Sequence, residues 1–486
     1  MDKQTLSRES VAIIGLSALA MFALALLSPA IFNDGDTYWH IRAGQWMLAH
    51  RAVLTTDPFS LSFAGRPWET QEWLAEIGFA GAFRMFRWSG VAILTGLAMA
   101  AATAALAAFL VRRLDPVPSI VVLVLALGCV MPDFLARPHI LALPCVVVWI
   151  AGLADAAEAR RPPRWALLLP MVLWVNLHGS FIFGLALIAP FAIEAALADR
   201  TRAGQVAGKW MLFAAAAAAA TLLNPRGLAG VLFPFHLMGL KSLAAIGEWQ
   251  SPDFHAVGPV EMALFAGVFF FIWRGIRISA VRLVLILALA ALWLQHARYG
   301  ILLGITGAVL TAAPLAGALK SSPAMLERRA GARLAYASFA AMFVVLAALR
   351  VAWPVKHVDD SAAALAAVPA SVAKLPVFNN YAFGGLLIFD GIRPSVDSRA
   401  DLYGDAWLDR YARAIDGDEN TVNTLFRNYR IAWTMLEPGD PLVSALDRRP
   451  GWRRIYADAH TVIQAGPDAL AALGRASRTS GRRDRG

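Results

Sequence analysis

The sequence predicts a polytopic α-helical membrane protein of about eleven spans, followed by a small C-terminal α/β domain. Three observations lead there. Hydrophobic residues make up 58% and charged residues 16% of the 486 positions, with a mean hydropathy of +0.56, too apolar for a water-soluble globule. Apolar runs of spanning or near-spanning length recur up to residue 352. After Val355 short β-type runs alternate with polar helical stretches instead.

The runs fall at 11–31, 90–111, 117–131, 139–157, 164–178, 180–197, 210–223, 259–273, 283–299, 301–318 and 334–352. The first exceeds the h-region of a signal peptide, so it reads as an uncleaved span. The run 164–178 is the weakest; it is short, contains Pro170 and ends in Asn176-Leu-His-Gly179, which suits a tilted or re-entrant segment. With the N-terminus in the cytoplasm, Lys3, Arg8 and the clusters Arg112/Arg113, Arg160/Arg161/Arg164, Arg200/Arg202/Lys209, Arg274/Arg277/Arg282 and Lys320/Arg328/Arg329/Arg333 share the inner face. That is 17 basic residues inside against nine in the opposite loops. This bias follows the positive-inside rule and places residues 355–486 outside. The net charge of +10 is therefore a set of topology signals, not a nucleic-acid footprint. Cys129 and Cys145 lie in or beside apolar runs with no ligand spacing and read as packing residues.

The expected division is a membrane domain over 1–354, including a long extracytoplasmic loop at 32–89, then an extracytoplasmic α/β domain over 355–470 and a disordered basic tail over 471–486. In the loop, 37–50 forms an amphipathic helix with Trp39, Ala43, Trp46 and Met47 on one face, and 68–86 another with Trp73, Ile77, Ala80 and Phe83. Tryptophan-bearing helices of this kind lie flat at a membrane interface. In the C-terminal part, strands are expected at 376–378, 386–389, 431–436, 453–456 and 461–464, with helices near 405–427 and 440–448.

Asp34 and Asp36 stand just after the first span. Carboxylates this close repel unless a cation, a proton or a basic group lies between them, so the pair suggests metal binding or general-base chemistry. The alternative is N-capping of the following helix. The same outer face gathers Met131-Pro-Asp-Phe-Leu-Ala-Arg-Pro-His139, Asn176-Leu-His-Gly179, Asn224-Pro-Arg-Gly227 with Glu248-Trp-Gln250, and Gln295-His-Ala-Arg298. Arg137 and Arg298 are expected to come together there. His178 and Asn176 can hydrogen-bond across helices. Glu69 and Glu72, a turn apart on the second loop helix, would line an acceptor path or merely face solvent. Asp397 and Arg399, near Asp401 and Tyr403, would touch a ligand or form a structural ion pair.

An acidic pair directly after the first span, flanked by interfacial helices, resembles the GT-C superfamily of integral membrane glycosyltransferases. The runs Asp34-Gly-Asp36…Trp39-His40…Gly44, Thr56-Asp-Pro-Phe-Ser60 and Pro67-Trp68…Trp73-Leu74 look like a group of bacterial multispanning proteins in that superfamily. Asn176-Leu-His-Gly179, Gly384-Gly385 and Asp397-Ser-Arg-Ala-Asp-Leu-Tyr403 look like later motifs of the same group. Protein O-mannosyltransferases carry adjacent acids in this first-loop motif, where this chain has Asp34-Gly-Asp36, and no W-W-D acceptor motif is present.

The resemblance implies an inverting hexosyl- or pentosyltransferase in the bacterial cytoplasmic membrane. It would move sugar from a polyprenyl-phosphate donor to a glycan or lipid acceptor, with membrane lipids and no nucleic acid as its surroundings. Asp34 and Asp36 would then be catalytic, alone or with a divalent cation, magnesium or manganese. Arg137, His139, His296 and Arg298 would hold the donor phosphate, or else snorkel to headgroups. His40, Glu69, Glu72, His178, Asp397 and Arg399 are further candidates on the acceptor side. The competing function is a transporter or flippase for lipid-linked glycans, or a non-catalytic assembly subunit. Such a protein would carry ionisable residues at mid-membrane.

Overall fold

The computed structural model describes residues 5–321, 325–326, 329–355 and 361–483. It divides into two compact units. The first comprises Met1–Ile31, Arg84–His236 and Ala244–Pro354; the second comprises Phe32–Phe83, Leu237–Leu243 and Val355–Gly486. The first loop, assigned from the sequence to the membrane domain, thus shares a compact unit with the C-terminal segment.

A short strand pair, β1 (Thr5–Leu6) with β2 (Met325–Leu326), accompanies a bundle of helices. α1 (Arg8–Leu27) starts where the Ser7 hydroxyl accepts the Ser10 N–H at 3.0 Å, an N-cap. α2 (Asp36–His50) belongs to the second unit. α3 (Trp73–Leu110) joins the expected loop helix and second span in one element, bent where Phe86 and Arg87 leave helical geometry. Then follow α4 (Pro116–Val130), α5 (Pro138–Glu158), α6 (Leu168–Leu177), α7 (Phe181–Ala198), α8 (Ala203–Thr221) and α9 (Leu228–Met238). α10 (Pro259–Trp273), α11 (Ala280–Gln295), α12 (Gly300–Leu319) and α13 (Arg329–Ala352) complete the series. Proline opens α4, α5 and α10, where its missing N–H leaves no hydrogen bond unmade.

Among the described residues seven helices are long and apolar enough to cross a membrane: α1, α3, α4, α5, α7, α12 and α13. The chain is a multi-pass helical membrane protein. α10, α11 and the segment holding α6 are apolar but shorter, and α8, expected as a span, is not among the seven. α9, which the sequence reading left in a loop, is a further short apolar helix. α12 packs on α4, α7 on α8, α5 on α6 and α7, and α1 on α13, where Phe22 and Phe343 rings lie 4.9 Å apart.

Charge in this unit collects at helix ends. Arg282, buried at the start of α11, bonds Glu194 at 2.7 Å and Glu158 at 3.1 Å, and Arg113 at the end of α3 pairs with Asp155 and Glu158.

The second unit is built on a four-stranded sheet in the order β3 (Val377–Asn379), β4 (Trp433–Leu436), β6 (Val462–Ala465), β5 (Arg453–Ala457). β3 runs parallel to β4, with Phe378 opposite Thr434, and the other pairings are antiparallel. Helices α14 (Ser361–Ala366), α15 (Ala370–Ala373), α16 (Gly384–Phe389), α17 (Ala400–Tyr403), α18 (Asp405–Ile415), α19 (Glu419–Tyr429), α20 (Pro441–Asp447) and α21 (Pro467–Arg483) surround it.

Three expectations are corrected here. Residues 386–389 are helical, because a short buried apolar run has no period that separates strand from helix. The helix expected over 405–427 is two, broken at Gly417, whose φ of 83° favours glycine, and restarted by Asp418 capping Thr421. Residues 471–483 are helical, since Ala469 and Ala472 give α21 a buried face.

The faces expected of the two loop helices are buried, but in a protein core. Trp39, Ala43 and Met47 of α2 pack with Phe378, Tyr403, Trp407 and Tyr411, while Trp46, Trp73 and Ile77 lie partly buried against the same cluster. α2 and α3 approach closely because position 44 is glycine; a Cβ there would meet the Glu76 carbonyl oxygen at 2.0 Å.

Candidate functional site

In the membrane unit, loops far apart in sequence meet around Glu248. Arg137 precedes Pro138, which disfavours helix for it, so it stands extended at the N-cap of α5. Its Nη1 donates to Glu248 Oε2 at 2.8 Å, and Arg298 Nη1, from the start of the last apolar span before α13, donates to Oε1 at 3.0 Å. Two guanidiniums therefore share one carboxylate, all three half-buried, and Arg298 also lies 4.3 Å over the Trp249 ring. Asp133 feels the charge of all three.

His296 donates Nδ1–H to the Trp249 carbonyl at 2.6 Å, and His139 donates Nε2–H to the Asp133 carbonyl at 2.9 Å. His139 and His178 rings stand 6.0 Å apart. Asn176 bridges helices by donating to the Leu223 carbonyl at 2.9 Å, while His178 Nδ1 accepts the N–H of its near neighbour Ser180. All four residues singled out for phosphate binding therefore gather in one region around the 247–249 turn.

In the second unit Asp34 Oδ1 accepts the Asp36 N–H at 3.2 Å, one residue ahead of Gly35, the N-cap of α2. Asp36, half-buried in the first turn, accepts from the Trp39 indole at 3.3 Å, an N–H it shares with Ser398 at 2.9 Å. One turn on, His40 is buried with Nδ1 3.2 Å from Glu76 Oε1 and Nε2 3.6 Å from Glu72 Oε2. Glu76 is itself fully buried and takes the Thr70 hydroxyl at 2.7 Å. Burial alone would discharge His40; the Glu76 hydrogen bond and the charges of Glu72, Glu76 and Asp36 outweigh it and hold its pKa above the usual value.

Asp397 and Arg399 lie in the interior. Arg399 grips Asp397 with Nε and Nη2, both at 2.7 Å, and reaches Asp57 with Nη1 at 2.8 Å. Tyr403 donates to Asp397 at 2.6 Å, Ser60 bonds Asp57, and the guanidinium lies 4.6 Å over Trp68. Burial would lower the Arg399 pKa, but Asp397 above all holds it well above its usual value. Burial would raise that of Asp57, but Arg399 and Ser60 hold it below the usual carboxylate range. These residues form the structural ion pair that the sequence offered as the alternative, and it ties the first loop to the C-terminal segment. Glu69 and Glu72 precede α3 and do not share a helical face.

Sequence reading missed Glu76 as a site member and gathered Glu248 with the outer-face loops without giving it a role. Glu76 carries a signal, an acid on the buried face of an apolar helix one turn after Glu72. Glu248 is marked only by its neighbours in the 248–250 loop. Among the described residues no group of three or more His, Cys, Asp or Glu side chains could hold a metal ion.

Fold and site define a multi-pass helical membrane protein with an anion-pairing cluster at span ends and an acid-rich, histidine-backed helix start in a separate unit. No protein-family model and no curated protein matches the chain. Among solved structures it is similar to the crystal structure of ArnT from Cupriavidus metallidurans bound to undecaprenyl phosphate, at 14% identity and a TM-score of 0.46, over 94% of this chain and 97% of the other. Likeness at that level assigns no residue.

Proposed function

We propose that this protein is an inverting membrane glycosyltransferase, moving a hexosyl or pentosyl group from a polyprenyl-phosphate donor to a glycan or lipid acceptor. We place its acceptor chemistry and residues 355–486 outside the bacterial cytoplasmic membrane and its N-terminus inside. The observation that carries this reading is the Arg137–Glu248–Arg298 triplet at the ends of apolar spans. Its two guanidiniums each donate one N–H to a carboxylate oxygen, and a lipid phosphate in place of that carboxylate would meet the same two donors.

The chemistry then divides into two roles. The anomeric carbon–oxygen bond to the phosphate breaks, and its electron pair stays on the phosphate oxygen, whose charge Arg137 and Arg298 neutralise. The acceptor oxygen attacks the opposite face of the sugar, and its proton passes to the carboxylate of Asp36 or Asp34.

Binding of polyprenyl phosphate to the full chain in nanodiscs of zwitterionic lipid tests the phosphate role. Arg137→Lys and Arg298→Lys each keep the charge but lose the fork, and each should weaken binding about tenfold. A snorkelling arginine tolerates lysine, so unchanged binding in both variants would contradict the clamp.

A further inference from the structure

A cleft of about 430 Å³ opens in the second unit beside α2, bordered by Phe59 and Ile388 of the hydrophobic core, at the low end of the range for small-molecule sites, about 300–1000 Å³. One wall is α2, which supplies Arg42, Gln45, Trp46 and His50; Phe59 and Arg393 come from the first loop and from the turn after α16. No carboxylate is among its described lining residues.

The donors and acceptors are already set. Trp46 and His50 stack face to face at 4.0 Å with planes 16° apart, an aromatic pair that lines the cleft. His50 Nδ1 lies 2.8 Å from the Trp46 carbonyl, which can only accept, so Nδ1 carries the proton and Nε2 is the ring nitrogen left to a ligand hydroxyl. Arg42 donates to Gln45 Oε1 at 3.2 Å, which turns the Gln45 amide NH₂ outward as a donor. Two guanidiniums, one amide, one ring nitrogen and an aromatic face match a sugar ring bearing an anionic group. The aromatic face takes the apolar face of the ring, the amide and imidazole take hydroxyls, and the arginines take carboxylate or phosphate.

We infer that this cleft binds an anionic sugar, as a recognition site for an acidic glycan acceptor. The inference rests on the transferase reading for the ligand being a sugar, and it is tested by binding alone, so that it can fail while lipid-phosphate binding at Arg137 and Arg298 stands.

Ligand-observed saturation-transfer NMR and calorimetry on the full chain in zwitterionic nanodiscs would use glucuronate, glucose 6-phosphate, glucose and inorganic phosphate as probes. At least one charged sugar should bind about tenfold or more tightly than glucose, and whichever does identifies the anion. Glucose 6-phosphate should also exceed inorganic phosphate, which has no ring to lay on Trp46. The double variant Arg42→Gln/Arg393→Gln should bring the charged sugar down to the glucose level. Trp46→Ala should weaken glucose 6-phosphate while leaving inorganic phosphate unchanged. Glucose binding as tightly as both charged sugars, or charged-sugar binding unchanged in the double variant, would overturn the site. Circular dichroism and gel filtration of each variant confirm that it is folded.

Discussion

His40 keeps its charge in a place where burial opposes it, because Glu76 and Glu72 face the two ring nitrogens. Linkage turns this into a pH dependence. A histidine whose folded pKa lies above its unfolded value of about 6.5 contributes stability that is fully present below that value and is lost as pH rises through the folded pKa. Urea unfolding of the wild type should therefore show stability falling as pH is raised from 6 to 9, and His40→Gln should flatten that fall. An identical slope in the variant would show that His40 is not held charged. The sequence made Asp34, Asp36 and His40 conspicuous because they crowd one short run. It left Glu76 and Glu248 unassigned, because their partners come from positions that no local pattern links to them.

At the scale of elements, the first loop and the 395–403 segment are joined by Arg399, which serves Asp57 on one side and Asp397 on the other. Removing one member of a buried ion pair leaves the others uncompensated, at a cost of about 3–5 kcal/mol. Arg399→Met should accordingly destabilise the second unit by that amount in equilibrium unfolding and expose the 52–67 region to protease. A loss below about 1 kcal/mol would mean the network is not what joins the segments. Amphipathic spacing had identified the buried faces of α2 and the start of α3, since periodicity reports which side is apolar. It could not report what covers that side, and the cover is the C-terminal core (Phe378, Tyr403, Trp407), not lipid. The same limit explains α16, where buried apolar residues too few to show a period were read as a strand.

For the whole molecule, the membrane class was legible because span-length apolar runs leave no other solution for the backbone in lipid. The span count was less so. α6 is shorter than its run, while α10 and α11 match theirs closely in length but stay below 18 residues. The charge clusters nevertheless separate by helix end. Arg113, Asp155, Glu158, Glu194 and Arg282 lie at or near the ends expected inside, and Arg137, Glu248 and Arg298 at or between those expected outside. Reporter fusions at Arg112 and at Val355 should accordingly report opposite sides of the membrane; the same side for both would contradict the topology.

The central claim is that the acid pair is the base of a sugar transfer, and it is met most directly by assaying Asp34→Asn and Asp36→Asn in membranes with a polyprenyl-phosphate sugar donor. Asparagine preserves the shape, and at residue 34 an oxygen that can still accept the residue 36 N–H, so folding should be nearly unchanged. Loss of general-base catalysis costs about 10²–10⁴ in rate, and the account predicts that at least one of the two variants falls by that factor. Near wild-type product from both would contradict it and leave a transporter or assembly role as the better reading.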